Sequence, residues 1–354
     1  ENKTVNISLR VTSQPIISVA PSLLFFRIAE NTKAQSSYIS VANRGLGTMN
    51  ITGVTASVTG TGTWLTATQV TGQNLILVKA DPTGLAIGSY AGKVNIATNG
   101  VNNSIDVPVT VDVVAQTGPN IAFGGVLENA NFVDDGIAPG GIVAAFGDQL
   151  TFEDALSAPS IPLATTLAKA MVFVNDQPAP LFFSSYNQIN FQVPYNTSPG
   201  TAIVRVERDG QKGNSVSVVV KSSLPRLMKY AGYGIVVNQD GSLNTPRSLG
   251  GHPAKRGDTL VIYGLGFGQT TPPVTSGTAA PGSPLAWILP TPKMQFGFTA
   301  ITSGIEVVPG YMGLTPGLVG LYQINVVIPS GVPNGDVPLR IAGFPEDFIT
   351  IVVE

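Results

Sequence analysis

The side chains that could do chemistry are few and scattered. His252 is the sole histidine among 354 residues and cysteine is absent. One chain therefore cannot assemble a histidine metal cluster, a Ser-His-Asp triad or a thiolate nucleophile. His252 sits in Gly250-Gly251-His252-Pro253, a turn sequence that predicts an exposed imidazole with a structural role. The carboxylate pairs Asp134-Asp135 and Glu153-Asp154 are sequence neighbours, and on a strand neighbouring side chains point to opposite faces. Glycoside hydrolysis needs two carboxyls converging across roughly 5–9.5 Å, so these pairs read as solvated loop charge. Asp134 or Asp135 could join backbone carbonyls around calcium, yet no Asp-x-Asp-x-Asp-Gly loop is present, and Asp240-Gly241 has the same standing. Gly264-Leu265-Gly266-Phe267-Gly268 lacks both the helix-leading G-x-G-x-x-G and the Gly-Lys-Ser/Thr of phosphate loops, and predicts bulges and turns. The sequence thus assigns no catalytic residue, no metal and no cofactor.

Aromatic residues remain as candidates for ligand work. Trp64, Tyr90, Tyr230, Tyr233, Trp287 and Tyr311 could stack on sugar rings if presented in a row. Trp64 beside Leu65 is expected in a core, because a large aromatic anchors a small sandwich. Trp287 lies in a stretch bounded by prolines, and three readings stay open for it: a contact between subunits, glycan stacking together with Tyr311 and Tyr233, or a cover over its own domain. Charged residues are 11% of the chain, against a usual value of about 25%. The balance of 19 Lys+Arg against 21 Asp+Glu includes no basic block of the kind that releases counterions from nucleic acid, so no nucleic-acid partner is expected. No apolar run is long enough for a transmembrane helix.

The elements that must position these residues are strands. Hydrophobic residues make up 43%, and Gly 40 and Pro 27 are dispersed among β-branched runs, the composition of many short strands joined by tight turns. Alternation is plain in Ser37-Tyr38-Ile39-Ser40-Val41, in Lys93-Val94-Asn95-Ile96-Ala97, and in Ile105, Val107, Val109 and Val111, which predicts half-buried antiparallel strands. The chain also repeats itself. Gln188-Ile189-Asn190-Phe191-Gln192-Val193-Pro194 returns as Gln323-Ile324-Asn325-Val326-Val327-Ile328-Pro329, and Gly200 is matched by Gly335. Phe146-Gly147 corresponds to Tyr263-Gly264 at a spacing of 117 instead of 135, which predicts an insertion of 18 residues in the second copy, placed at 269–290. The segment Val5-Asn6-Ile7-Ser8-Leu9-Arg10-Val11-Thr12 likewise echoes Ile105-Asp106-Val107-Pro108-Val109-Thr110-Val111-Asp112. Repetition of this kind points to building units.

The fold class read from these patterns is all-β: tandem immunoglobulin-like sandwiches in an elongated arrangement, with an extra strand at the N-terminus. The expected divisions are an N-terminal strand at 1–14, a sandwich at 15–115, another at 120–222, a bridging segment at 223–252, and a last sandwich of IPT/TIG type at 253–354. Within the bridge, Asn238-Gln239-Asp240-Gly241 predicts a turn with Gly241 at positive φ and Asp240 bonded to its own backbone. A hairpin there would clamp the two sandwiches. Val5, Ile7, Leu9 and Val11 form an apolar-alternating strand that must pair somewhere, in cis or by donation to an identical subunit. A start at Glu1 is expected to reflect trimming of a longer precursor, and the sequons at Asn2, Asn6, Asn50, Asn102 and Asn196 are frequent enough in an Asn- and Thr-rich chain to arise by chance.

Two resemblances accompany this reading. Trp64-Leu65 after a Thr-Gly turn, followed by Gly84-Leu85-Ala86-Ile87-Gly88-Ser89-Tyr90-Ala91-Gly92 ahead of two terminal strands, resembles the BACON domain, a bacterial Ig-like module, over residues 15–114. That resemblance implies a neighbour of carbohydrate-active domains and a capacity to bind glycans. Gly124-Gly125-Val126-Leu127-Glu128-Asn129-Ala130-Asn131-Phe132, Ile137-Ala138-Pro139-Gly140-Gly141-Ile142-Val143, Pro178-Ala179-Pro180-Leu181-Phe182-Phe183, the 188–194 signature, Val237 to Asn244 and Ile262 to Gly268 occur in order. Together they resemble the Solibacter-type C-terminal family of uncharacterised secreted proteins from Acidobacteria, over about 120–354. That resemblance implies export and a place at the end of longer surface or extracellular chains. The functional expectation is a non-enzymatic extracellular structural protein, a subunit of a surface filament or layer; the alternative is a carbohydrate-binding or adhesive module.

Overall fold

The computed structural model describes residues 12–60 and 62–354. The expected N-terminal strand, with Val5, Ile7, Leu9 and Val11, falls outside the described residues. The chain divides into two compact units, Glu1–Thr117 and Gly118–Glu354.

The first unit is one sandwich. Its strands are β1 (Ile17–Ala20), β2 (Leu24–Ala29), β3 (Gln35–Asn43), β4 (Ile51–Val58), β5 (Leu65–Gln69), β6 (Leu75–Ala80), β7 (Gly88–Thr98) and β8 (Ser104–Val114). They form two sheets of order β1-β3-β6-β5 and β2-β8-β7-β4. The alternating residues Ile39, Ile76, Val78, Val94, Ile96 and Val107 are wholly buried between the sheets, as their period of two requires. Trp64 lies in this core, edge-on to Tyr90 at 6.4 Å. One pairing departs from the antiparallel expectation. β2 runs parallel to β8, from Leu24 opposite Val109 to Ala29 opposite Val114. The chain leaves β1 at Pro21, which has no N–H for a ladder, and crosses to the other sheet.

The second unit contains two sandwiches. The first has β9 (Asn120–Glu128), β10 (Ile142–Asp148), β11 (Leu156–Ser157), β12 (Ala170–Val174), β13 (Gln177–Pro178), β14 (Leu181–Ser184), β15 (Gln188–Gln192), β16 (Gly200–Arg208) and β17 (Gln211–Val220). The second has β18 (Arg226–Leu227), β19 (Lys229–Tyr230), β20 (Tyr233–Gly234), β21 (Val236–Val237), β22 (Thr259–Leu265), β23 (Met294–Phe296), β24 (Ile305–Val307), β25 (Tyr311–Leu314), β26 (Tyr322–Val327), β27 (Gly335–Ile341) and β28 (Phe348–Val353). Sheets of order β11-β14-β15-β10-β9 and β13-β12-β16-β17 answer to sheets of order β18-β22-β26-β25 and β24-β23-β27-β28.

The repeat holds at the level of single hydrogen bonds. Phe146 stands opposite Gln188 and Tyr263 opposite Gln323. In both copies the Gln side chain donates to the Asn two residues on, Gln188 to Asn190 and Gln323 to Asn325, each at 2.8 Å. Gly200 and Gly335 both open a strand at positive φ, 126° and 98°. In both copies the segment before the second strand also meets the last strand in parallel: Ile137 pairs with Val220 and Ala254 with Val353.

Two expectations change. The segment read as a bridge at 223–252 supplies the edge of the second sandwich, because β18 and β21 both pair with β22 as the two halves of β9 pair with β10. Residues 122–125, which bulge out of β9, become in the second copy the longer excursion 228–235, carrying the hairpin β19–β20. The predicted turn forms after β21: Gly241 has φ +86°, and the Ser242 N–H donates to Asp240 Oδ1 at 2.9 Å. The 18 additional residues are not one insertion at 269–290. The offset between copies is 117 at Phe146 and Tyr263, 122 at Val174 and Phe296, and 135 at Gln188 and Gln323. Most of the added length therefore lies after β23. Residues 149–169 of the first copy are nearly as poor in sheet as 269–290, so the two loops correspond.

Candidate functional site

Several buried polar groups of the second unit, Gln192, Glu128, Arg226 and Asp347, lie where its two sandwiches meet. Gln192 ends β15 with its side chain sealed from solvent. Its amide donates to the Gly140 carbonyl at 3.2 Å and accepts from the Gly277 N–H at 2.6 Å. Gly277 belongs to the loop after β22, and its carbonyl accepts from the Leu163 N–H at 2.8 Å. Tyr195, three residues on, leaves its own sandwich and packs into the core of the second, in one cluster with Phe267, Tyr322 and Leu314. Its N–H donates to Ser276 Oγ and its carbonyl accepts from Gln269, both at 2.9 Å. Burial pushes the Tyr195 hydroxyl up to about 12, so the ring enters as a neutral phenol. The approach is tight: a Cβ at Gly140, whose φ is +75°, would overlap the Tyr195 ring. Tyr322 stacks on Phe267 at 4.9 Å and donates its hydroxyl to the Gly268 carbonyl.

An ionic cluster closes the same junction. Arg226, on β18, bonds Asp135 and lies 3.8 Å from Glu128, both on the first sandwich. Glu128 is buried and accepts from the N–H groups of Ala130, Asn131 and Val133. Asp347, also buried, accepts from the Leu227 N–H at 2.6 Å and from the Asn131 side chain at 3.0 Å. Burial alone would raise the Asp135 carboxyl, but the hydrogen bond and charge of Arg226, with Lys221 beside them, hold it below the usual carboxylate range. Asp134 and Asp135 thus part company: Asp135 serves the junction, and among the described residues no cluster of three or more His, Cys, Asp or Glu could hold a metal ion.

The aromatic candidates do not form one platform. Tyr311 is buried, with its hydroxyl donating to the Leu314 carbonyl at 2.6 Å, so it cannot stack on a sugar and that expectation is corrected. Trp287 is half-buried and packs edge-on against Tyr311 at 4.8 Å; its backbone exchanges hydrogen bonds with Thr271. It covers its own sandwich, on the β25 side. Tyr233 belongs with the facing sheet, where its hydroxyl donates to Asp336 at 3.2 Å. Its cross-strand neighbour Tyr230 is 74% exposed. His252 is exposed, as its turn predicts, at the rim of a hollow of about 490 Å³ also lined by Asp240, Arg247 and Glu354, in which Arg247 pairs with Glu354 at 3.1 Å.

Sequence reasoning missed Gln192 and Tyr195. The signal was available in the repeat: polar Gln192 stands against apolar Val327, and aromatic Tyr195 against small polar Ser330, where the other differences between the signatures exchange one apolar residue for another. Val327 is 48% exposed where Gln192 is buried.

No family model matches the chain, and no curated protein does. Among solved structures it is similar to an endo-fucoidan hydrolase of glycoside hydrolase family 107, at 11% identity over 96% of this chain and 44% of that one, with TM-score 0.27. It is similar to the surface layer protein SbsC, domains 4–9, at 13% identity over 96% of this chain and 50% of that one, with TM-score 0.25. It is also similar to titin domains I67–I69, at 11% identity over 97% and 98%, with TM-score 0.19. The chain spans less than half the length of the fucoidan-hydrolase structures. No helix among the described residues is long and apolar enough to cross a membrane.

Proposed function

We propose that this chain is a non-catalytic extracellular structural protein, a subunit of a surface filament or layer whose identical copies join by β-strand addition through residues 1–13. The observation that carries this reading is the junction. Two copies of one sandwich set four buried polar groups, Gln192, Glu128, Arg226 and Asp347, on their junction. A building piece needs that rigidity, whereas a catalyst directs such groups at a substrate. Low charge supports the same reading, since identical surfaces approach with little like-charge repulsion. The resemblance to the Solibacter-type C-terminal family and to the BACON domain fits an exported chain. A second reading, a glycan-binding or adhesive module, is favoured by the Tyr230–Tyr233 pair on the β19–β20 hairpin, which offers an exposed ring.

Electron microscopy and sedimentation of the full chain and of a chain lacking residues 1–13 test the proposal. The full chain should form filaments or sheets, and the shortened chain should stay monomeric with its sandwiches folded. Filaments that persist after the deletion would sink it. Measurable sugar affinity lost in Tyr230→Ala, with no assembly in either chain, would favour the second reading.

A further inference from the structure

The two copies in the second unit treat the same edge of the sandwich differently. In the second copy, β28 is the last strand of its sheet, and its outer edge is covered. The Ala254 N–H donates to the Val352 carbonyl at 2.9 Å. The buried Asn244 side chain then accepts from the Val352 N–H at 2.7 Å and donates to the Val352 carbonyl at 2.9 Å, as a neighbouring strand would. The β19–β20 hairpin completes the cover, with Gly234 seated against the Ile349 side chain. Ile349 and Ile351 are accordingly buried.

In the first copy the corresponding strand is β17, with Val219 in the place of Val352 and Val216 and Val218 in the places of Ile349 and Ile351. The Ile137 N–H donates to the Val219 carbonyl at 2.9 Å, as Ala254 does to Val352. There the equivalence stops. The short bulge 122–125 takes the place of the hairpin, and among the described residues no asparagine amide meets the Val219 backbone. Because Val219 turns its carbonyl to the outer edge, its N–H faces the same way, and so do the backbone groups of Ser217 by the alternation of a strand. Val216 and Val218 are only half-buried. Between them and the bulge runs a groove of about 260 Å³, with Phe123 fully exposed at its wall and Asp134 on its lining. An open strand edge beside half-covered valines and an uncovered phenylalanine is a surface suited to strand addition.

We infer that this groove is the acceptor for strand addition, and that its occupant is the segment of residues 5–11 from a second copy of the chain. The inference rests on the assembly reading given above and supplies its missing half. The second copy indicates what kind of group covers this edge: extended backbone with an apolar side. Residues 5–11 offer that pattern, with Val5, Ile7, Leu9 and Val11 on one face and Asn6, Ser8 and Arg10 on the other. Lys3 and Arg10 are opposite in sign to Asp134.

The test is sedimentation of the full chain alongside three altered chains. Val219→Pro removes a groove-facing N–H that the sheet does not use, a substitution edge strands tolerate. Phe123→Asp alters a side chain exposed to solvent, and decides the matter if the proline variant fails to fold. The third chain lacks residues 1–13. Wild-type chains should assemble, and each groove variant should raise the dissociation constant at least about tenfold. A Ser8→Cys chain mixed with a Ser217→Cys chain should form a mixed disulfide dimer, free of interference because the sequence has no cysteine. Groove variants that assemble like wild type, while the shortened chain does not, would overturn this acceptor and leave strand donation standing. A shortened chain that assembles normally, or a wild-type chain that stays monomeric, would overturn both.

Discussion

The two sandwiches of the second unit share a register, a Gln-to-Asn side-chain bond and a strand-opening glycine, yet they differ wherever they touch each other. Gln192 is buried and holds the Gly277 N–H, whereas Val327, at the same place in the repeat, is exposed. Tyr195 fills a foreign core, whereas Ser330 is exposed. Gly320, in the stretch between β25 and β26 that is longer in the second copy, lies against Gly140, Gln192 and Ile142 of the first. A duplicated fold has kept its ladders while these positions on the join between copies have diverged.

Four experiments would break or sharpen that contrast. The largest effect is expected from Tyr195→Ala, which empties a place in the core of the neighbouring sandwich and should cost about 3–5 kcal/mol. Ser330→Ala should lie within about 0.5 kcal/mol of wild type. Chemical denaturation monitored at both sandwiches reads the difference, and a single undisturbed transition in Tyr195→Ala would deny the ring its linking role. Gln192→Leu strands the buried Gly277 N–H and should cost about 1–3 kcal/mol, against almost nothing for Val327→Leu. Equal small losses would mean the copies do not differ there. Gly200→Ala and Gly335→Ala place a Cβ on the same positive-φ position and should each cost about 1–2 kcal/mol; a marked inequality in melting temperature would break the structural equivalence. The smallest effect concerns pH. Because the folded Asp135 carboxyl is held below its ordinary 3.8, its contribution is present above that value and is lost as pH falls through the lower folded value. The slope of stability against pH below about 4 should flatten in Asp135→Asn, and an unchanged slope would remove Asp135 from the junction.

Much of the architecture was legible because strand burial is a local matter. Ile39, Val94, Ile96 and Val107 alternate with polar neighbours, and any sheet that accepts them must bury that face. The repeat makes the equivalence of Phe146 and Tyr263 readable from the sequence alone. The join was harder to read. Whether a strand-ending glutamine is buried depends on a loop some 85 residues away, at Gly277, and only the contrast with Val327 in the second copy hints at it. Tyr311 looked like a candidate platform because its partners, Trp287 and the Ala286 and Leu314 carbonyls, are set by topology. The segment at 223–252 read as a bridge because its two strands are only two residues each and a hairpin separates them, too short for periodicity to register.

The parallel contacts noted in each sandwich bear on mechanical load. β2 lies parallel to β8, Ile137 to Val220 and Ala254 to Val353, so each sandwich ties an early segment to its last strand in the same direction. When such a sandwich is pulled by its two ends, these strands slide past one another, and the hydrogen bonds between them are strained together. An antiparallel pair opened from one end would give them up singly. Resistance to tension would then grow with the length of the parallel stretch, greatest in the first sandwich, where six residue pairs run from Leu24 to Ala29. Under pulling, the sandwich of the first unit should be the last of the three to yield.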